Sequence, residues 1–160
     1  MELDGVTSMF RGLHAVNLDA KGRIAVPSRF REKLAQQEVK ELVVTIDTES
    51  PCLLLYPLPE WENIEKKLEA LPSFNPATRR IQRLLIGHAK ELEIDPQWRV
   101  LLPPLLRQHG HLKKHIIFVG QGKKFEIWDQ IQWEEHRTKW LLEETNLSEP
   151  VPPELQSISL

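Results

Sequence analysis

Laid on itself with an offset of 76, the chain aligns Leu18-Asp19-Ala20-Lys21-Gly22-Arg23-Ile24-Ala25-Val26-Pro27 with Ile94-Asp95-Pro96-Gln97-Trp98-Arg99-Val100-Leu101-Leu102-Pro103. The frame holds as far as Phe30/Leu106 and Arg31/Arg107. After small length changes it resumes at Leu42-Val43-Val44-Thr45 against Ile116-Ile117-Phe118-Val119, and at Trp61 against Trp133. Chance rarely preserves the order of so many residue classes, so the chain reads as two copies of one supersecondary unit. At 160 residues it can bury one core or two small ones, and one compact unit made of two halves is expected.

Each half carries the same local signals. A first strand, near Ala15 to Leu18 and Glu91 to Ile94, enters an Asp-x-x-x-Arg turn, and a short strand leaves it at Ile24 to Val26 and Val100 to Leu102. Pro27 and Pro103 suit a first helical position, so Ser28 to Leu34 and Pro104 to His109 are expected as helical turns. Strand pairs follow: Leu42 to Asp47 with Leu53 to Tyr56, and His115 to Val119 with Phe125 to Trp128. Thr48 to Pro51 and Gly120 to Lys124 are the turns between them. Trp61, Ile64, Leu68 and Leu71 then fall on one face of a helix opened by Pro59. Asn75-Pro76 caps a connecting helix with Ile81, Leu84, Leu85 and His88 on one stripe, and Asp129 is placed to cap a helix bearing Trp133, Arg137 and Trp140. Strands with separate helices make an α+β fold. The expected divisions are a disordered extension at 1–8, a first half with its helix at 9–72, the connector at 73–90, a second half with its helix at 91–144 and a flexible acidic tail at 145–160.

Net charge is only −2, but it is unevenly spread: residues 9–140 keep all 21 bases and 17 of the 23 acids, a balance of +4, while the last twenty residues hold four acids and no base. Cys52 is the one cysteine, which excludes an intrachain disulfide and any multi-cysteine zinc site and fits a reducing compartment. The longest apolar runs are broken by prolines such as Pro103 and Pro104, so no membrane span is expected. Met1 to Ser8 is acidic and lacks the apolar stretch of a signal peptide. A cytoplasmic location is the resulting expectation.

The turns carry the chemistry. Aspartate in a tight turn accepts backbone N–H bonds from residues just ahead, and glycine supplies the positive φ such a corner needs. Asp19, Gly22 and Asp95 are therefore read as turn-structuring. Lys21, Arg23 and Arg99 sit at or beside a rigid corner, where an arginine fork loses little freedom on meeting phosphate or a guanine edge. A single Asp-x-x-x-Arg is a common structural hairpin with an internal ion pair. Repetition within basic surroundings separates this one from that background: Phe10 to Lys33 holds six bases against two acids.

Arg11-Gly12, Asn17 to Ile24, Pro27, Pro51 to Trp61, Arg83 to Ala89 and Lys124 to Asp129 together closely resemble the MraZ family, over roughly residues 9 to 140. The resemblance implies two SpoVT/AbrB-like half-domains packed as a pseudo-dimeric swapped-hairpin barrel, a ring-shaped homo-oligomer, and binding to promoter-proximal direct repeats in double-stranded DNA. It also implies a nucleoid-associated transcriptional repressor of the division and cell-wall gene cluster that encodes it, with no cofactor, no small-molecule substrate and no membrane partner. Arg23 and Arg99 are the implied DNA contacts; Arg11 and Lys21 join them on charge and proximity. One departure stands out. Trp98 replaces the glycine usual in this family's turn and Pro96 stands where the first turn has Ala20, so Asp95 to Arg99 is expected to adopt another backbone shape and to contribute less to DNA.

Other functions find weaker footing. His109, His111 and His115 cluster in sequence without an acidic or thiol partner, which reads as a solvated loop. Gly120-Gln121-Gly122-Lys123 lacks phosphate-loop spacing and reads as a hairpin turn, and there is no nucleophile elbow, so no enzyme is expected. A protein-interaction module acting through residues 141–160 is the remaining alternative.

Overall fold

The computed structural model describes residues 9–146 and 150–160, so the extension expected at 1–8 and part of the tail lie outside the described residues. The chain divides after Gln130 into two compact units. The first holds β1 (Phe10–Asn17), β2 (Arg23–Ala25), α1 (Ser28–Gln36), β3 (Glu41–Ile46), β4 (Leu53–Pro57), α2 (Leu58–Glu69), α3 (Pro76–Leu85), β5 (Lys90–Glu93), β6 (Arg99–Leu101), α4 (Pro104–His109), β7 (His115–Gly122) and β8 (Lys124–Asp129). The second is built on α5 (Gln130–Asn146), where Trp133 and Trp140, two turns apart, pack edge to face at 5.8 Å, and α6 (Pro153–Gln156) falls within the tail segment. No helix among the described residues is long and apolar enough to cross a membrane.

Local signals place most elements within a residue or two of expectation. Asn75 caps α3 with its side chain, accepting from Ala77 N and Thr78 N. Pro27 and Pro103 hold extended backbone just outside α1 and α4 rather than in their first turns. The carboxylate expected to cap α5, Asp129, accepts a hydrogen bond from Lys113 N at 3.1 Å and so ties the end of β8 to the loop before β7.

How the strands pair is what the local signals do not state. Six form one antiparallel sheet in the order β1-β7-β8-β4-β3-β5, and β2 and β6 form a separate two-stranded ribbon. The hairpins β3-β4 and β7-β8 belong to single copies, but β1 of the first copy pairs with β7 of the second along its whole length, Phe10↔Gly122 to Asn17↔His115. Conversely, β5 of the second copy pairs with β3 of the first. Exchanging the equivalent strands of the two copies reverses the sheet order onto itself, with the pseudo-twofold between β4 and β8. The hydrogen bonding leaves the sheet open at β1 and β5, and no closed barrel forms among the described residues; the ribbon lies over the sheet instead of joining it.

The β3-β4 hairpin is a nearly continuous apolar run because the sheet is covered there on both faces. Leu42, Val44, Ile46, Leu53 and Leu55 point to one side, into a core shared with Ile24, Val26, Val100 and Leu102 of the ribbon region, Phe30 and Leu34 of α1 and Leu106 of α4. The alternate residues Val43, Leu54 and Tyr56 point to the other side, where Trp61 and Ile64 of α2 and Leu85 at the end of α3 cover them. Ribbon and α2 therefore occupy opposite faces of the sheet.

Candidate nucleic-acid interface

The first turn is built by one carboxylate. Asp19 Oδ1 accepts from Lys21 N and Arg23 N, both at 2.9 Å, and its Oδ2 receives Arg23 Nε at 2.7 Å. Backbone bonds from Gly22 N to Asp19 O and from Asp19 N to Arg23 O close the corner, and Gly22 takes φ +89. The second turn repeats this bond for bond. Asp95 Oδ1 accepts from Gln97 N at 2.9 Å and Arg99 N at 2.8 Å, Oδ2 receives Arg99 Nε at 2.9 Å, and Trp98 N and Asp95 N make the matching backbone bonds. Trp98 sits at φ +59, the left-handed region that glycine occupies in the first copy. The expectation of a different backbone shape is thus overturned. Trp98 accepts that conformation while its half-buried indole packs against the main core.

The donors around each carboxylate also set its charge. The Arg23 backbone N–H is the strongest influence on Asp19, and with the Arg23 side chain and Lys21 N it holds the carboxyl down at about 2 against an opposing desolvation. Partial desolvation pushes Asp95 up, but bonds from Arg99 N, the Arg99 side chain and Gln97 N together outweigh it and leave the carboxyl below its ordinary value. Each ion pair engages only Nε of its arginine. In Arg23 both terminal nitrogens remain available as a planar fork; in Arg99, Nη2 also touches Gln97 Oε1 at 3.3 Å.

The ribbon brings the two corners into one surface. Its register is Arg23↔Leu101, Ile24↔Val100 and Ala25↔Arg99, which places the pseudo-twofold on the Ile24–Val100 pair. Val26 N to Trp98 O and Leu102 N to Gly22 O extend the ladder symmetrically into both turns. Alternation sends Ile24 and Val100 into the core and turns Arg23, Ala25, Arg99 and Leu101 outward. Arg23 and Arg99 stand two rungs apart on that outer face, about 8 Å between Cα positions, with side chains 27% and 32% exposed.

The other expected residues fall differently. Lys21 is exposed beside the first turn, in a groove with Leu101, Pro103 and Arg107. Arg11 is exposed near the far end of β1, opposite Gln121, more than about 20 Å along the strand from Asp19. The structure does not bring it to the turns. Arg79, Arg80 and Arg83 are exposed on α3, away from the ribbon face. Two residues escaped notice as part of this surface: Leu101, 55% exposed between the arginines, and Arg107, whose guanidinium lies over Gly22 while its Nε donates to Leu102 O at 3.0 Å. Strand alternation from Arg99 would have exposed the first, and the Arg31/Arg107 match hinted at the second, since Arg31 Nε donates to Val26 O in the equivalent place.

Elsewhere, ligand atoms of Asp47, Cys52 and Glu126 lie within 4.8 Å of one another. Burial pushes the Cys52 thiol well above its usual range, and the neutral thiol donates to Asp47 Oδ2 at 3.7 Å, an arrangement of a packed thiol rather than a metal ligand. His109 Nε2 lies 3.2 Å from Asp47 O, whereas His111 and His115 are exposed.

Fold and surface together define a class: α+β chains of two tandem copies that exchange strands and present paired Asp-x-x-x-Arg corners on a symmetric ribbon. Comparison with known proteins makes this specific. The family described as "MraZ protein, putative antitoxin-like" matches at residues 9–84 and again at 85–151. Proteins named transcriptional regulator MraZ from Coxiella burnetii and Legionella pneumophila are 57% and 51% identical over 152 residues, covering 95% of this chain and all of each relative. One of that name from Halorhodospira halophila is 51% identical over the same span. The chain belongs to the MraZ family of transcriptional regulators.

Proposed function

We propose that the outer face of the β2-β6 ribbon reads double-stranded DNA, with Arg23 and Arg99 as base or phosphate contacts, Lys21 as a flanking phosphate contact, and Asp19, Gly22 and Asp95 holding the corners. The observation that carries this reading is the pair of identically built turns presenting two arginine forks on one face. A two-stranded antiparallel ribbon fits the major groove, and a fork already fixed by its carboxylate loses little entropy on pairing with guanine. Arg11, far along β1, would add at most a peripheral phosphate contact.

With two forks per chain and a body charge of only +4, one subunit offers few phosphate contacts, so affinity comes from several subunits on repeated sites. A ring-shaped homo-oligomer on promoter-proximal direct repeats, repressing the division and cell-wall gene cluster and its own promoter at the nucleoid, is the biological form of this reading. The exchange of β1 and β5 supports a swapped-hairpin pseudo-dimer, with halves at 9–72 and 91–144 joined by 73–90. A mobility-shift titration on the chain's own upstream region tests it. Wild type should prefer that fragment over a scrambled one with a steep salt dependence, and Arg23→Ala should remove the shift without changing oligomer size. Equal affinity for both fragments would refute sequence-specific reading.

A further inference from the structure

On the sheet face opposite the ribbon, a groove of about 530 Å³ runs between α2 and the tip of the β7-β8 hairpin, lined by Tyr56, Ile64, Lys66, Lys67, Lys123 and Lys124. Lys66 and Lys67 lie in the last turn of α2, where the helix carbonyls favour cations, and that accounts for one pair alone. Lys123 and Lys124 arrive from a hairpin more than fifty residues later, and a hairpin turn has no need of positive charge. Glu60 is the one carboxylate in the lining, leaving four ammonium groups against a single acid, a net +3. None of the four lysines makes an ion pair or a side-chain hydrogen bond among the described residues. Four ammonium groups around one concavity, with a single carboxylate in its lining, give it a positive potential that attracts an anion.

The rest of the lining suits a molecule rather than a bare ion. Asn63 and Gln121 add amide groups, while Ile64 and the ring of Tyr56 supply an apolar wall. Burial, with the carboxylates of Asp47 and Glu126, pushes the Tyr56 phenol up to about 12, so it stays neutral. The volume lies within the range of small-molecule sites. Because α2 and the ribbon cover opposite faces of the sheet, duplex DNA seated on the ribbon does not reach this groove.

We propose that this groove is a binding site for a small diphosphate-bearing molecule, the lysines neutralising the phosphates and the Tyr56–Ile64 wall receiving the group attached to them. The inference is independent of the DNA reading.

Calorimetric titration of the full chain with inorganic pyrophosphate and, separately, with adenosine diphosphate tests it. Saturable binding with a dissociation constant between about 10 μM and 1 mM at low salt is expected. Equal affinities would mean that the phosphates alone are recognised, and tighter nucleotide binding that the apolar wall takes part; either supports the site. Lys67→Gln with Lys124→Gln should weaken binding by tenfold or more, leaving the denaturation midpoint and the upstream-DNA shift unchanged, and the matching Lys→Arg pair should retain it. Absence of saturation up to about 10 mM, or undiminished binding in the Gln pair, would overturn the proposal. So would a Gln pair whose only defect is a shallower salt dependence of DNA binding, which would assign the lysines to DNA.

Discussion

Replacing Gly22 by alanine tests the construction of the recognition corner at its tightest point. The added methyl would lie 2.8 Å from Arg107 Cζ and 3.0 Å from its Nε, and the residue would have to hold φ +89. Two costs follow. Left-handed backbone costs a non-glycine residue about 1–2 kcal/mol. The methyl also pushes the guanidinium away from Leu102 O, now 3.0 Å from Nε, and losing a hydrogen bond from a charged donor costs about 1.5–3 kcal/mol, less what water restores at this half-buried site. The sum is about 3 kcal/mol. With a urea slope of about 2 kcal/mol/M, the midpoint should fall by about 1.5 M. Urea unfolding followed by tryptophan fluorescence at fixed protein concentration measures it. In an Arg107→Ala background the collision is gone, so the same glycine substitution should cost only the backbone part, about 1–2 kcal/mol. Equal losses in both backgrounds, or a loss under about 0.5 kcal/mol in the wild type, would refute the steric account.

Three further outcomes follow from the paired turns. Arg99→Ala should weaken binding to the upstream fragment as much as Arg23→Ala, by about 1–3 kcal/mol each, with a salt slope reduced by about one; an Arg99 loss below a third of the Arg23 loss would restore an unequal pair. Because the folded Asp19 carboxyl is depressed to about 2 from an ordinary 3.8, its contribution to stability is present above about pH 4 and disappears as pH falls through 2. Carboxyl-carbon NMR should place its midpoint near 2, and a midpoint near 4 would show that the donors do not hold it. Trp98→Gly relieves left-handed strain of about 1–2 kcal/mol, but it forfeits about 2–3 kcal/mol of indole packing and adds unfolded-state entropy of about 1 kcal/mol, so a net loss of about 2 kcal/mol is expected in thermal or urea unfolding. A stabilised variant would mean that the indole contributes nothing to the core.

What the sequence made legible was local or repeated. Asp19, Gly22 and Arg23 announce their turn because each bond in it spans four residues or fewer, and the offset of 76 announces its copy. Strand partnership was not legible. Leu42 to Ile46 and Leu53 to Tyr56 are buried on both faces, so no polar alternation fixes which side meets which partner, and β1 finds β7 about a hundred residues away. Without that register, Arg11 looks like a neighbour of the turns when the strand carries it to the far end of the sheet. The lysine groove was hidden for the same reason, since its two pairs meet only where β8 of the second copy pairs with β4 of the first.

Trp98 shows why the second corner keeps the shape of the first without the glycine. Any other backbone there would give up the Gln97 and Arg99 bonds to Asp95 Oδ1, the Arg99 Nε pair, the two backbone bonds that close the turn, and the link from Val26 N to Trp98 O in the opposite copy. At about 0.5–1.5 kcal/mol each, those six outweigh a left-handed penalty of about 1–2 kcal/mol. The last of them is decisive, because it belongs to the ribbon: a second turn that changed shape would pull β6 out of register with β2 and unseat the first turn as well. A φ near +59 is therefore tolerable at this position, as the tryptophan demonstrates, whereas Gly22 lies at φ +89, beyond the range that a side chain adopts readily. The guanidinium of Arg107, resting where a methyl would go, adds a second constraint, one that its flexible side chain relieves by giving up the Leu102 bond, and Gly22→Ala in the presence and absence of Arg107 separates the two.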